Sequence, residues 1–211
     1  MMRRIGIMGG TFDPIHIGHL VTAQEVYERF ELEKVIFMVA GQHPLKGTAM
    51  TPADQRLRMV EIAIADNPHF EASDYEVRRK EVSYTVDTLR ALHQLYPGDV
   101  EFYFITGADA LFEIIEWKDA QQLADLTILV GATRPGYDIE WAKKRHERAV
   151  AHFDIRLLEV PALAVSSTDI RARVRRGSDV RYLVTDGVST YIKEHGLYQE
   201  YASKKGECGH G

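Results

Sequence analysis

The stretch IGIMGGTFDPIHIGHL, residues 5–20, runs from a short apolar segment through two glycines into Thr11, Phe12, Asp13 and Pro14, and then into two histidines three apart, His16 and His19. Ile5 to Met8 reads as a buried strand. Leu20, Ala23, Tyr27 and Phe30 recur at helical spacing, so a helix follows. The stretch is therefore the first strand-to-helix unit of an α/β chain. Gly9 and Gly10 have no Cβ, and the expectation is that the backbone turns sharply there and lets a ligand come close. The helix start offers unpaired N–H groups and partial positive charge, which suits an anion. His16 and His19 share one face of that start and can meet the anion from the same side. The stretch lacks the G-x-G-x-x-G order of a dinucleotide fingerprint and the Gly-Lys-Ser/Thr of a P-loop. As a metal pair the histidines have no third ligand fixed by spacing.

Outward from this unit the same alternation repeats. Residues 35–40 (VIFMVA) form a continuous apolar run, as in a strand buried on both faces. Thr51 and Pro52 read as N-cap and first residue of a helix that Asp66-Asn67-Pro68 ends. Further strands are expected at 70–73, 101–105, 126–130 and 155–160. Helices are expected from Thr85 to Tyr96, after Gly107-Ala108-Asp109, over 141–152, and from Ser166 to Arg176 with Ser at its start and Gly177 at its stop. A last helix ends at Gly196, and the polar tail beyond Leu197 is expected to fray. Strands alternating with helices predict an α/β, Rossmann-like, doubly wound, mainly parallel sheet with helices on both faces. Ligands of such sheets bind beyond the carboxyl ends of the strands. Residues 1–198 read as one domain and 199–211 as a flexible C-terminal tail.

Composition narrows the function classes. The chain has 211 residues, with 26 basic against 31 acidic, a formal charge of −5. That balance argues against a nucleic-acid-coating protein, since phosphate backbones favour a basic face. The single cysteine, Cys208, forms no intrachain disulfide, which fits a reducing compartment. Arg3 and Arg4 precede an apolar run as in a signal peptide, but the run breaks at Gly9 and Gly10. No stretch approaches the roughly 20 apolar residues of a membrane helix. A cytoplasmic protein without membrane or nucleic-acid partners is expected.

A second motif lies far downstream. Val165-Ser166-Ser167-Thr168-Asp169-Ile170-Arg171 starts a helix with three hydroxyls and free N–H groups, and Arg171, one turn in, can reach the same anion with a planar fork of donors. Together the two motifs resemble the H-x-G-H and I-S-S-T-x-I-R signatures of the nucleotidylyltransferase superfamily, whose members transfer a nucleotidyl group to an acceptor and release pyrophosphate. Three further details resemble the nicotinate mononucleotide adenylyltransferase family. They are Ser83-Tyr84-Thr85-Val86-Asp87-Thr88, Gly107-Ala108-Asp109 with Trp117 downstream, and Arg134-Pro135-Gly136. The resemblance spans about residues 3 to 198.

The resemblance implies a set of roles. His16, His19, Lys46 and Arg171 would be catalytic, donating to the phosphates and clamping them. Gly9, Gly10, Thr11, Phe12, Ser166, Ser167 and Thr168 would bind ATP. Thr85 would hold the pyridine carboxylate, Trp117 would stack on the pyridine ring, and Asp109 and Arg134 would place sugars and phosphates of nicotinate mononucleotide. Mg²⁺ would enter with ATP, since that ion often lacks a dedicated protein cage. The chain departs from the family at Gly41-Gln42-His43-Pro44-Leu45-Lys46, where P-P-H-K is usual. The lysine is kept, but Leu45 stands at the histidine position. Rival readings are adenylyl transfer to nicotinamide mononucleotide or phosphopantetheine, a nucleotide-binding module without catalysis, and a zinc-dependent hydrolase built on the two histidines. Arginine-rich helices and open strand edges are compatible with a homodimer.

Overall fold

A computed structural model describes residues 2–41, 51–79, 81–111, 117–133, 152–161 and 164–199. Among the described residues six strands form one sheet: β1 Arg3–Gly10, β2 Lys34–Val39, β3 Phe70–Ser73, β4 Val100–Gly107, β5 Ile128–Thr133 and β6 Ile155–Glu159. Every pairing is parallel, and the order is β3-β2-β1-β4-β5-β6. The order reverses between β1 and β4, which is the switch point where ligands of such sheets gather. The helices among the described residues are α1 Ile17–Arg29, α2 Ala53–Ile64, α3 Thr85–Leu95, α4 Ala108–Leu111, α5 Ala120–Leu126, α6 Ser167–Arg175 and α7 Asp186–Glu194. The expected α/β, doubly wound, Rossmann-like sheet is the fold observed.

The alternation of β2 explains the two-sided core. Val35, Phe37 and Val39 point into one cluster with Ala23 and Val26 of α1, Met59 and Val60 of α2, and Val188 and Ile192 of α7. Ile36 and Met38 point the other way, into a cluster with Val86, Leu89 and Leu92 of α3 and Leu123 of α5. A strand buried on both faces cannot alternate polar with apolar, which is why residues 35–40 read as one apolar run. Each large aliphatic or aromatic side chain fully removed from water here contributes roughly 2–3 kcal/mol.

Some boundaries differ from the sequence expectation. Gly9 and Gly10 make no turn. They are the last two residues of β1, in register with Met38 and Val39. The positive φ falls instead on Phe12, at 50°, just before a cis Asp13-Pro14 bond. The glycines serve close packing within the chain: a Cβ on Gly10 would lie 2.9 Å from the Phe12 ring, and one on Gly9 would lie 3.1 Å from the Phe104 ring. Pro52, not Thr51, is the N-cap of α2, and Ala53 is its first residue. Leu126 ends α5 rather than opening a strand, and β5 begins at Ile128. Thr127 sets that boundary, because its hydroxyl accepts from the Phe104 N–H at 3.1 Å and donates to the Phe102 carbonyl at 2.9 Å. The tail does not fray at once: Tyr198 is buried. The helix expected over 141–152 lies outside the described residues except for its last position, as does nearly all of the 199–211 tail.

Arg56 ties the loops to the core. It is 1% exposed, among the most enclosed side chains of the molecule. Its Nε donates to the Thr51 carbonyl at 3.0 Å, Nη1 to Thr11 at 2.6 Å and Nη2 to Gly41 at 3.1 Å. Burial pulls its pKa down, opposed by the negative charge of Asp13, and the group stays charged because an arginine starts so high. Arg58, two residues on, is exposed and pairs with Glu61 at 2.9 Å. Arg56→Met keeps the bulk and leaves three carbonyls without their donor. It is expected to lower unfolding free energy by on the order of 3 kcal/mol, measured by urea denaturation, while Arg58→Met stays within about 0.5 kcal/mol.

Candidate active site

The site is built where β1 ends. Phe12 is held in its left-handed conformation by packing, against Phe37 at 5.8 Å and edge-on against His19 at 5.1 Å between ring centroids. His16 is the N-cap of α1 in extended conformation. Its backbone N–H donates to His19 Nδ1 at 3.2 Å, and the two imidazoles stack with centroids 3.7 Å apart. The expected shared face is thus a stacked pair at the mouth of a helix. His16 is 8% exposed and its Nδ1 has no hydrogen-bond partner. Burial pushes its pKa down to about 4, so the ring is neutral at pH 7.

The second motif is stitched to the first. Arg171 Nη1 donates to the Asp13 carbonyl at 2.7 Å, and Ser167 Oγ donates to the Pro14 carbonyl at 2.8 Å. Residues more than 150 positions apart are thereby in direct contact, and α6 opens beside the β1–α1 loop. Ser166 caps α6, its hydroxyl accepting from the Asp169 N–H at 3.1 Å. Thr168 Oγ1 accepts from Arg171 Nη2 at 3.2 Å. The hydroxyls of the motif therefore have jobs within the chain, while the first-turn amides of α6 have no partners inside the helix.

Asp13 is the hub of the loop. Only 4% exposed, its Oδ1 accepts from the Tyr198 hydroxyl at 2.7 Å and its Oδ2 from the Thr51 N–H at 3.4 Å. The sequence offered Asp13 no role and left Tyr198 to the tail. A signal was present, since Gly196 stops α7 with φ 60° and the Leu197 N–H returns to the Ile192 carbonyl at 3.0 Å. That closing turn sends the next residue back toward the core.

A second group gathers at the start of α3. Tyr84 is its N-cap and Thr85 its first residue. Lys118 Nζ donates to Asp87 Oδ2 at 3.0 Å and sits 4.5 Å over the Tyr84 ring. This binds the Trp117 segment to the Thr85 segment, and Trp117 itself stands edge-on to Phe104 at 5.8 Å, half-buried. Thr88 donates to the buried carboxyl of Glu76 at 2.6 Å, whose pKa burial raises. Of the remaining expected residues, Lys46 and Arg134 lie outside the described residues, as do His43 and Leu45, and for Asp109 only its place in α4 is described. Among the described residues no group of three His, Cys, Asp or Glu is arranged to hold a metal ion, and no helix is long and apolar enough to cross a membrane.

The Cytidylyltransferase-like family model matches residues 7–173. A probable nicotinate-nucleotide adenylyltransferase of Desulfitobacterium hafniense is 50% identical over 202 residues, 93% of this chain and 96% of that protein. One from Clavibacter michiganensis is 51% identical over 196 residues, covering 93% and 94%. The chain belongs to the nicotinate-nucleotide adenylyltransferase family. The fold is also that of the Plasmodium falciparum nicotinic acid mononucleotide adenylyltransferase solved with NaAD, at TM-score 0.76 and 22% identity over 93% of this chain and 97% of that one.

The neutral His16 makes stability depend on pH. The ring titrates near 6.5 when unfolded and at about 4 when folded. Its contribution is complete above pH 6.5 and is lost as pH falls toward 4, because only the unfolded chain takes up the proton early. The unfolding free energy from urea denaturation is expected to fall over that window, by at most about 3 kcal/mol. In His16→Gln that part of the fall disappears.

Proposed function

We propose that the chain joins ATP and nicotinate mononucleotide, giving deamido-NAD and pyrophosphate. The observation that carries this reading is the stitching of the two motifs, Arg171 to the Asp13 carbonyl and Ser167 to the Pro14 carbonyl, in a chain half identical to named relatives over nearly its full length.

The chemistry follows from the substrates. The acceptor is a phosphate monoester, already anionic near neutral pH, so no strong general base is needed. An oxygen of that phosphate attacks the α-phosphorus of ATP in line. The bond from the α-phosphorus to the bridging oxygen breaks, and pyrophosphate carries the electron pair away. The obstacle is bringing two polyanions together, and the remedy is positioning with donors and positive charge.

In this reading His16 and His19 donate to the phosphates from the mouth of α1, and Lys46 and Arg171 clamp them. Gly9, Gly10, Thr11 and Phe12 line the nucleotide with the start of α6. Supporting it, Nδ1 of His16 is a buried polar atom with no partner in the chain, and the neutral ring carries one N–H that an anionic phosphate oxygen can accept. Magnesium would enter with ATP as its counterion and would supply positive charge against the phosphates, without a dedicated protein cage. The pyridine carboxylate takes Thr85 and the α3 amides, and Trp117 offers its ring face to the pyridinium. Asp109 and Arg134 complete the acceptor side. A reducing, cytoplasmic setting fits the lone cysteine.

Pyrophosphate release from Mg·ATP is to be measured with nicotinate mononucleotide, nicotinamide mononucleotide and phosphopantetheine in parallel. Strong preference for the first is expected. Preference for either other acceptor overturns the carboxylate pocket, and silence with all three overturns catalysis. His19→Ala should reduce turnover about 10²-fold or more, and turnover near wild type would remove the assigned role. Trp117→Ala should raise the KM for the pyridine nucleotide well above any change in the KM for ATP, and equal changes would return the residue to the core.

A further inference from the structure

Tyr198 stands far from the motifs in sequence and against them in space. Its φ is 63°, an uncommon conformation for a tyrosine. The turn that closes α7 delivers it there, and its ring lies in the same buried cluster as Ile15 and Ile170. Its hydroxyl donates to Asp13 Oδ1 at 2.7 Å across a separation of 185 residues. Burial and the facing Asp13 carboxylate raise its pKa, so it is a donor throughout the useful pH range.

Asp13 passes this restraint on. Its carboxylate is gripped from two sides, by Tyr198 and by the Thr51 N–H. Its carbonyl is the docking point of Arg171 Nη1 at 2.7 Å, and Thr168 Oγ1 takes Nη2 at 3.2 Å. A guanidinium is planar and offers five donors in a fixed fork. Two of them on chain oxygens set the plane of the fork and so the direction of the rest. If Asp13 turns, that plane turns with it.

We propose that Tyr198 is a positioning residue for adenylyl transfer, holding Asp13 so that the Arg171 guanidinium meets the ATP phosphates in the productive plane. The inference rests on the phosphate-clamping role given to Arg171 above. It adds to that role a long-range support from a buried residue whose hydroxyl is spent on Asp13.

The test is a double-mutant cycle on the full chain, with Tyr198→Phe, Arg171→Ala and the double variant compared with wild type. Turnover and both KM values are measured with Mg·ATP and nicotinate mononucleotide, at a temperature where circular dichroism shows all four folded. Tyr198→Phe is expected to lower kcat about tenfold, in the range that misplacing a reacting group produces, with the KM for nicotinate mononucleotide unchanged. In the Arg171→Ala background the same change should cost less than about twofold, since coupled residues are not additive. Tyr198→4-aminophenylalanine, which keeps a weaker donor, should recover part of the loss. It also replaces Tyr198→Phe in the cycle should that variant not fold. Wild-type kcat in Tyr198→Phe, or an equal fold-loss in both backgrounds, overturns the proposal. Wild-type turnover in Arg171→Ala overturns the clamp itself, and is read independently of any change at 198.

Discussion

Arg56 holds three backbone carbonyls from three separate segments: Thr11 after β1, Gly41 after β2 and Thr51 before α2. Taking a charge this far out of water is unfavourable unless its donors are matched. Here each nitrogen has an oxygen, and the Asp13 charge lies close enough to oppose the effect of burial. Loops of a parallel sheet have no ladder to fix them. Here the roots of the loops after β1 and β2 and before α2 are fixed by one enclosed cation, and the β1 side of the crevice is hung from those roots. The left-handed Phe12, the stacked imidazoles and the docking point of Arg171 all descend from the Thr11 end of that arrangement.

The two halves of the crevice are held by different physics. On the β1 side the restraint is polar, running through Asp13, Arg56, Tyr198 and Arg171. On the α3 side it is a mixture, with Lys118 bonded to Asp87 and laid over Tyr84, and Trp117 set edge-on to Phe104. The Glu76 turn lies between them. Its carboxyl receives the Thr88 hydroxyl of α3, and its carbonyl leaves no room for a Cβ on Gly41. Gly41 is thus a glycine because two backbones meet there, and Arg56 grips the same residue from the other side.

Much of this was legible in the sequence, for local reasons. The run at 35–40 announces a strand buried on both sides because it has no polar position. Ser166 and Gly177 bracket α6 because capping and left-handed stops use few residue types. The motifs at 9–19 and 165–171 were visible because clustered glycines, histidines and hydroxyls are uncommon in plain core. The failures were of another kind. The glycines of β1 look like a turn in sequence, whereas they make room for the rings of Phe12 and Phe104, and that packing is set in three dimensions. Leu126 resembles a strand residue because apolarity does not separate a helix end from a strand start, and the Thr127 hydroxyl decides between them. The anchorage of Tyr198 leaves no local trace, because its partner is 185 residues away, beyond the reach of any spacing rule.

That last separation has a consequence for how the protein is made. Synthesis delivers β1 and its loop first, and early strands can pair as they leave the ribosome. Asp13 is then in place before the Tyr198 hydroxyl that binds its Oδ1. An unfinished chain carries the histidines, and later the arginine, but not the closed loop that sets their geometry. The loop is completed only when residue 198 has left the exit tunnel, so its geometry waits on a residue far downstream of the motifs it supports.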